Sequence, residues 1–114
     1  MIDFTFPPEV DELRLKVRSF MDEVVRPEWE AIDPSERKQL VGTIIKLRKV
    51  SRDDWGLWLP HMPAEWGCMG LGPTAMAAVS AEAAKVSIGP FVLNCQAPDE
   101  GNQHTLLHLS LIHI

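Results

Sequence analysis

Trp55-Gly56-Leu57-Trp58-Leu59-Pro60-His61-Met62-Pro63-Ala64-Glu65-Trp66-Gly67-Cys68-Met69-Gly70-Leu71-Gly72 is the stretch on which the fold turns. From Gly56 to Gly72, prolines, glycines and large aromatics are too dense for any regular helix, so the segment reads as a packed, irregular loop. Aromatic rings in a loop must bury their area somewhere. Two readings stay open: a cover over one end of a helical core, or a surface that touches a ligand.

Upstream, Val10, Leu13, Val17, Phe20, Met21 and Val24 recur at spacings of three or four and mark one face of a helix. Pro7 and Pro8 suit its first turn, Glu9, Asp11 and Glu12 complement the positive end of its dipole, and Pro27 is expected to end it, giving a helix from about 8 to about 26. Asp33-Pro34 with Glu36 three residues on predicts a capped start for a second helix of about 20 residues. Its apolar face is Leu40, Ile44, Leu47 and Val50, its wetter sides carry Arg37, Lys38, Lys46, Arg48 and Lys49, and Gly56 fits the position just past its end.

Downstream, Pro73 and Thr74 open a third helix whose residues Ala75 to Ala84 are nearly all small, with Met76, Val79 and Val86 as the larger apolar side chains. Such a helix is expected to be buried on most sides, more than one small core supplies, which points to a further partner surface. Gly89-Pro90 breaks it. Phe91 to Ala97 before Pro98 reads as helical or extended, and Asp99 caps a last helix carrying Leu106, Leu107 and Leu109, weakened by Gly101. The expected class is all-α: a small up-down helical bundle with an irregular Trp/Pro/Gly-rich loop over residues 1–109. Residues 110–114 read as a truncated or non-native tail, because their aliphatic side chains stop in mid-pattern.

The chain has 114 residues, 46% of them hydrophobic and 24% charged, which places it among single soluble domains rather than disordered chains. Area scaling gives a folded surface of about 6,300 Å² against about 18,600 Å² unfolded, enough for one modest core. With 11 Lys+Arg against 16 Asp+Glu and a net charge of -5, the footprint needed for phosphate-backbone binding is missing, and nucleic acid is not an expected partner. No apolar run approaches a membrane span, and Asp3 without a positive n-region does not read as a signal peptide. The expected compartment is the cytoplasm, or a mitochondrial or peroxisomal matrix in a eukaryote.

Chemistry-bearing motifs are sparse. Cys68 and Cys95 form no CxxC and read as reduced thiols, with a disulfide between them left open. His104 and His108 stand at i and i+4 but amount to two ligands of a metal site, and His61 and His113 are isolated. Asp22-Glu23, Asp53-Asp54 and Asp99-Glu100 read as caps and solvated faces rather than acid–base pairs. No GxGxxG, P-loop, GxSxG or HExxH occurs.

Collinearity adds what single motifs lack. Phe6-Pro7 with Glu9-Val10, Leu13-Arg14, Val17 to Phe20, Pro27, Trp55-Gly56-Leu57-Trp58, Pro63 to Gly67, Gly70-Leu71-Gly72, Gly89-Pro90 and Ala97-Pro98-Asp99 with Gly101-Asn102 together resemble the N-terminal helical domain of an acyl-CoA dehydrogenase, over residues 4 to 109. The segment Gln96 to Asn102 looks most like the subgroup found fused to or beside kinase-like domains. Cys68 departs from the family's second glycine, and Ser110 from the glycine that closes the last helix.

The resemblance implies a flavoprotein of fatty acid metabolism that removes two hydrogens from the α and β carbons of an acyl-CoA thioester. A carboxylate takes the α-proton and the β-hydrogen leaves as hydride to FAD. It also implies that most flavin contacts and the catalytic carboxylate belong to the β-domain and second helical bundle of the longer family architecture, and that the full-length enzyme is a homo-oligomer. The helices in hand would form one wall of the acyl tunnel, with Asn94, Ala97 and Gly101 as the expected substrate-facing residues and no catalytic residue among them. By their residues alone, the same three positions suit core packing or a turn around Pro98 better than a tunnel wall. The competing reading is a self-sufficient helical interaction module docking a partner through a patch at Trp55, Trp58 and Trp66.

Overall fold

The computed structural model describes residues 5–96 and 99–109, and among them every regular element is helical. The chain is all-α, a small helical bundle with an irregular loop. Its elements are α1 (Pro8–Phe20), α2 (Arg26–Glu30), α3 (Arg37–Val50), α4 (Pro73–Ala83), α5 (Gly89–Leu93) and α6 (Asp99–Leu109).

The first helix runs past Pro27. A π-helical turn, Met21–Val25, joins α1 directly to α2, and Pro27 sits in the first turn of α2. Proline lacks an N–H and its ring crowds the carbonyl four residues back, so an unbroken α-ladder is excluded. Widening the preceding turn, so that the Arg26 N–H bonds to the Met21 carbonyl, lets the chain continue instead of stopping.

The second helix starts later than its sequence signals. Asp33 Oδ1 accepts from the Ser35 backbone N–H at 3.0 Å and from the Ser35 hydroxyl at 2.7 Å, which makes a local turn in place of the expected cap. Helix α3 begins at Arg37, with Glu36 in extended conformation before it. A second π-helical turn, Ser51–Trp55, follows, and Gly56 ends the rod at φ 66°, ψ 29°, the left-handed geometry that glycine adopts without steric cost.

One apolar cluster joins these pieces. Val17, Phe20, Met21 and Val25 from the first rod meet Leu47 of α3, Leu57 of the loop, Val79 and Ala83 of α4, and Val92 and Leu93 of α5. The faces expected from periodicity are the buried ones: Leu13 and Val24 pack against this cluster, as do Leu40, Ile44 and Val50.

Helix α4 departs from expectation. It buries Met76, Ala78, Val79, Glu82 and Ala83, while Ala77, Ala81 and Ala84 remain exposed, so it is covered on one side rather than most. Its buried carboxylate is the anchor of the fold. Glu82 receives Arg18 through Nη2 at 2.8 Å and Nε at 3.1 Å, Arg14 through Nη1 at 3.1 Å and Lys85 at 3.0 Å. These bonds, led by that of Arg18, pull its pKa down to about 2. Past α4 the chain turns so tightly that a Cβ on Gly89 would sit 1.9 Å from the Ala83 carbonyl oxygen. Only glycine fits there.

Candidate functional site around Asn94

Helix α5 is a single short turn, and three partners from outside hold its C-terminal carbonyls. Arg48 donates Nε–H to the Phe91 carbonyl at 2.8 Å, the Leu59 N–H donates to that of Leu93 at 3.1 Å, and the Ser51 hydroxyl is shared between the Arg48 carbonyl at 2.8 Å and that of Val92 at 3.3 Å. Helix ends normally leave such carbonyls without intrahelical partners, so α3 and the loop lock this one in place. Asn94 follows at φ 56°, ψ 42°, one of two non-glycine residues with positive φ among the described residues. Asparagine tolerates that region better than most residues. The Cys95 N–H then bonds to the Pro90 carbonyl at 3.0 Å and closes the turn.

This segment and the loop beside it hold unmet hydrogen-bonding capacity. Asn94 Oδ1, Gln96 Oε1 and His61 Nδ1 are buried and have no hydrogen-bond partner. His61 is 5% exposed, and its Nε2 lies 2.5 Å from Gln103 Oε1 of α6. An amide oxygen only accepts, so a neutral His61 ring that donates from Nε2 to Gln103 leaves Nδ1 as an acceptor. Asn94 Oδ1 and Gln96 Oε1 are acceptors, and a buried acceptor left unmet carries a desolvation penalty of about 1–3 kcal/mol.

Of the expected substrate-facing residues, Asn94 stands at the α5 cap and Gly101 in the first turns of α6, at the two ends of one short connection. Ala97 lies outside the described residues, as do residues 110–114. Gly101 is exposed, with nothing within 4 Å of where a Cβ would be. Helix α6 buries none of its residues, and Leu106 and Leu109 are 63% and 76% exposed. Asp99 contacts Gln96 Nε2 at 2.9 Å, and the Glu100 N–H bonds to the Gln96 carbonyl.

Other sequence candidates resolve differently. Trp55 packs on Phe20 at 5.2 Å between ring centroids, and Trp58 lies under the Arg48 guanidinium at 5.4 Å. Only Trp66 of the three is exposed, so no contiguous tryptophan patch forms and the loop is mainly a cover. The His104 ring packs against that of His61 at 5.2 Å between centroids, tilted by 49°, and no three potential metal ligands cluster among the described residues. Asp22 and Asp53 make exposed contacts to Arg26 and Arg52. Both cysteines are free, and burial raises the Cys95 thiol to about 11, far from a reactive thiolate.

Sequence reasoning missed two residues. Glu82 is the lone acidic residue in a run of small ones, and Arg14 and Arg18, at i and i+4 on the first helix, were the signal for its partner surface. His61 gave no signal beyond its place among buried loop residues.

Open grooves of ≈ 280 to ≈ 630 Å³ run along the outer faces of α1 and α3. None of these four is lined by Asn94 or Gly101. A flavin needs a concave site that encloses most of its surface, and these shallow grooves do not fit one.

The fold defines the class of the chain as a small all-α domain whose turns are closed by glycines. A family model described as "Acyl-CoA dehydrogenase, N-terminal domain" matches residues 7–102, and the chain belongs to that family. It is similar to acyl-CoA dehydrogenase family member 11 of Pongo abelii, at 33% identity over 86% of this chain and 13% of that protein. The Gallus gallus protein of the same name is 32% identical over 86% of the chain and 13% of its own length. The Rattus norvegicus protein is 29% identical over 92% and 16%. The chain thus spans under a fifth of the length of these relatives. No solved structure matches it. Among the described residues, no helix is long and apolar enough to cross a membrane.

Proposed function

We propose that this domain forms one wall of the acyl-binding tunnel of a flavin-dependent acyl-CoA dehydrogenase and is inactive by itself. The observation that carries the reading is the stretch from Asn94 to Gly101. Asn94 Oδ1 and Gln96 Oε1 are buried without partners, Asn94 sits in a left-handed cap, and α6, which carries Gly101, buries none of its residues. A surface with unmet hydrogen bonds and exposed leucines is built to be completed by something else.

FAD would supply the hydride-accepting centre when bound to the longer enzyme, and the carboxylate that takes the α-proton would come from outside this chain. The role left to these residues is positioning. The locked α5 cap holds Asn94 against the acyl chain, and Gly101, lacking a side chain, leaves room for a long or branched one. Acyl-CoA as substrate, homo-oligomer formation and a matrix or cytoplasmic location belong to the same proposal.

The test uses Gly101→Leu in a full-length enzyme carrying this domain. A Cβ at this position has nothing within 4 Å and leucine has the better helix propensity, so the fold is expected to survive, which circular dichroism and the melting temperature check. We expect the ratio of kcat/KM for long-chain over short-chain acyl-CoA to fall by about tenfold or more. An unchanged ratio overturns the tunnel-wall assignment. For the isolated chain, incubation with FAD and gel filtration should return protein without isoalloxazine absorbance, and retained flavin would contradict its proposed inactivity.

A further inference from the structure

Helix α3 has a second face, turned away from the core. Val41 and Ile45, one helical turn apart, are 43% and 63% exposed. Arg37 and Lys38 flank them on one side in a groove of ≈ 630 Å³ that also takes in Gly42. A groove of ≈ 280 Å³ continues from Ile45 past Lys49 and Arg52 to the edge of Trp58. Ile45 lines both, so the two grooves abut along the helix, which spans about 21 Å at 1.5 Å per residue.

The charge on this face opposes that of the whole. The chain carries -5, yet the two grooves take in Arg37, Lys38, Arg48, Lys49 and Arg52, five of its 11 basic residues. Lys46 is engaged by Glu28 and Arg52 by Asp53, whereas Arg37, Lys38 and Lys49 make no ion pair among the described residues. Gly42 is the second observation. A glycine inside a helix costs about 0.5–1 kcal/mol relative to alanine. Here nothing lies within 4 Å of the missing Cβ, so the domain's own packing does not require it. An exposed glycine between two exposed β-branched residues leaves the helix backbone open to close approach.

We infer that this face of α3 docks an amphipathic helix of another protein, one with a small-residue or apolar stripe flanked by carboxylates. The stripe lies over Gly42 between Val41 and Ile45, and the carboxylates meet Arg37 and Lys38 at one end and Lys49 at the other. A second copy of this chain is disfavoured. A two-fold contact through this face would set cations against cations. An anionic bilayer would use the cations but has no need of a missing side chain at position 42.

The test titrates the 114-residue chain with a synthetic 20-residue helical peptide carrying an alanine–leucine stripe and flanking glutamates. A peptide of the same composition with the stripe scrambled is the control. We expect saturable binding to the first peptide that weakens about tenfold between low and physiological salt, because the charges are exposed. Lys38→Glu with Lys49→Glu should abolish it. Gly42→Leu should weaken it about tenfold while leaving the melting temperature equal or higher, which separates lost docking from lost folding. Equal binding of the scrambled peptide overturns the inference, as does a Gly42→Leu chain that binds like the parent. Reversible dimerisation, or sedimentation with phosphatidylserine vesicles, that is lost in the Gly42→Leu chain would do the same.

Discussion

The crossing of α1 on α4 and the α5–α6 connection are built to opposite standards. In the crossing, one buried carboxylate is saturated by three cations and the following turn is so close that a single methyl group is excluded. In the connection, two buried amide oxygens, Asn94 Oδ1 and Gln96 Oε1, go unmet, and α6 buries none of its residues. The first region satisfies its own chemistry, which is what a stable domain requires. The second leaves its chemistry open, as a surface does when its remaining partners come from elsewhere.

The sharpest way to break this contrast is at Gly89. Changing Gly89→Ala places a methyl group against the Ala83 carbonyl, and the backbone of the α4–α5 turn has to move. We expect a loss of about 3 kcal/mol, read as a lower urea midpoint with an unchanged slope. If the variant is as stable as the parent, the tightness of this turn is not what fixes α5 on the core.

Glu82 comes next. Glu82→Gln removes the charge but keeps the shape, leaving Arg14 and Arg18 beside a weak acceptor. Those cations are partly exposed, so the expected loss at pH 7 is about 2 kcal/mol, below the figure for a fully buried pair. The pH dependence has a definite sign. The folded pKa, at about 2, lies below the ordinary value of 4.5. The stabilisation is therefore complete above the unfolded value and is lost as pH falls through the folded one. The stability gap between parent and Glu82→Gln should be constant from pH 7 to 5 and shrink toward pH 2. A gap that does not change with pH would mean that the carboxylate charge contributes nothing.

How much of this was legible in the sequence follows the same division. The buried faces of α1 and α3 and the stop at Gly56 were readable because each depends on local spacing or one backbone preference. Pro27 misled because a local rule, that proline ends a helix, was overridden by a π-helical turn that periodicity does not encode. Asp33 misled for the converse reason: its side chain had a nearer partner in Ser35 than the helix it was expected to cap. Glu82 and the exposure of Ala77, Ala81 and Ala84 depend on which helix lies across α4, a tertiary fact. Asn94 and Gly101 entered only through family resemblance. Neither has a residue type or spacing that announces a site, and the orphaned acceptors that now mark Asn94 appear only once burial is known.

Substitution at Asn94 sharpens the contrast from the other side. Asn94→Gly relieves a left-handed conformation and removes an unpartnered buried oxygen. We expect it to stabilise the isolated domain by about 0.5–1 kcal/mol, measured by denaturant unfolding. A residue that lowers stability where it stands is a mark of function, so a gain here supports the proposed role and a clear loss argues that Asn94 is structural.

The smallest effect belongs to Leu106. In a domain that satisfied itself, a leucine in its last helix would be core, and truncation to alanine would cost about 2–5 kcal/mol. Leu106 is 63% exposed and α6 buries none of its residues, so Leu106→Ala should change stability by less than about 0.5 kcal/mol. Alanine's slightly better helix propensity offsets part of what little contact is lost. Denaturant unfolding monitored by circular dichroism measures it. A loss above about 1 kcal/mol would show that α6 packs on the core after all, and the connection from Asn94 to Gly101 would then be a finished part of the domain rather than an open wall.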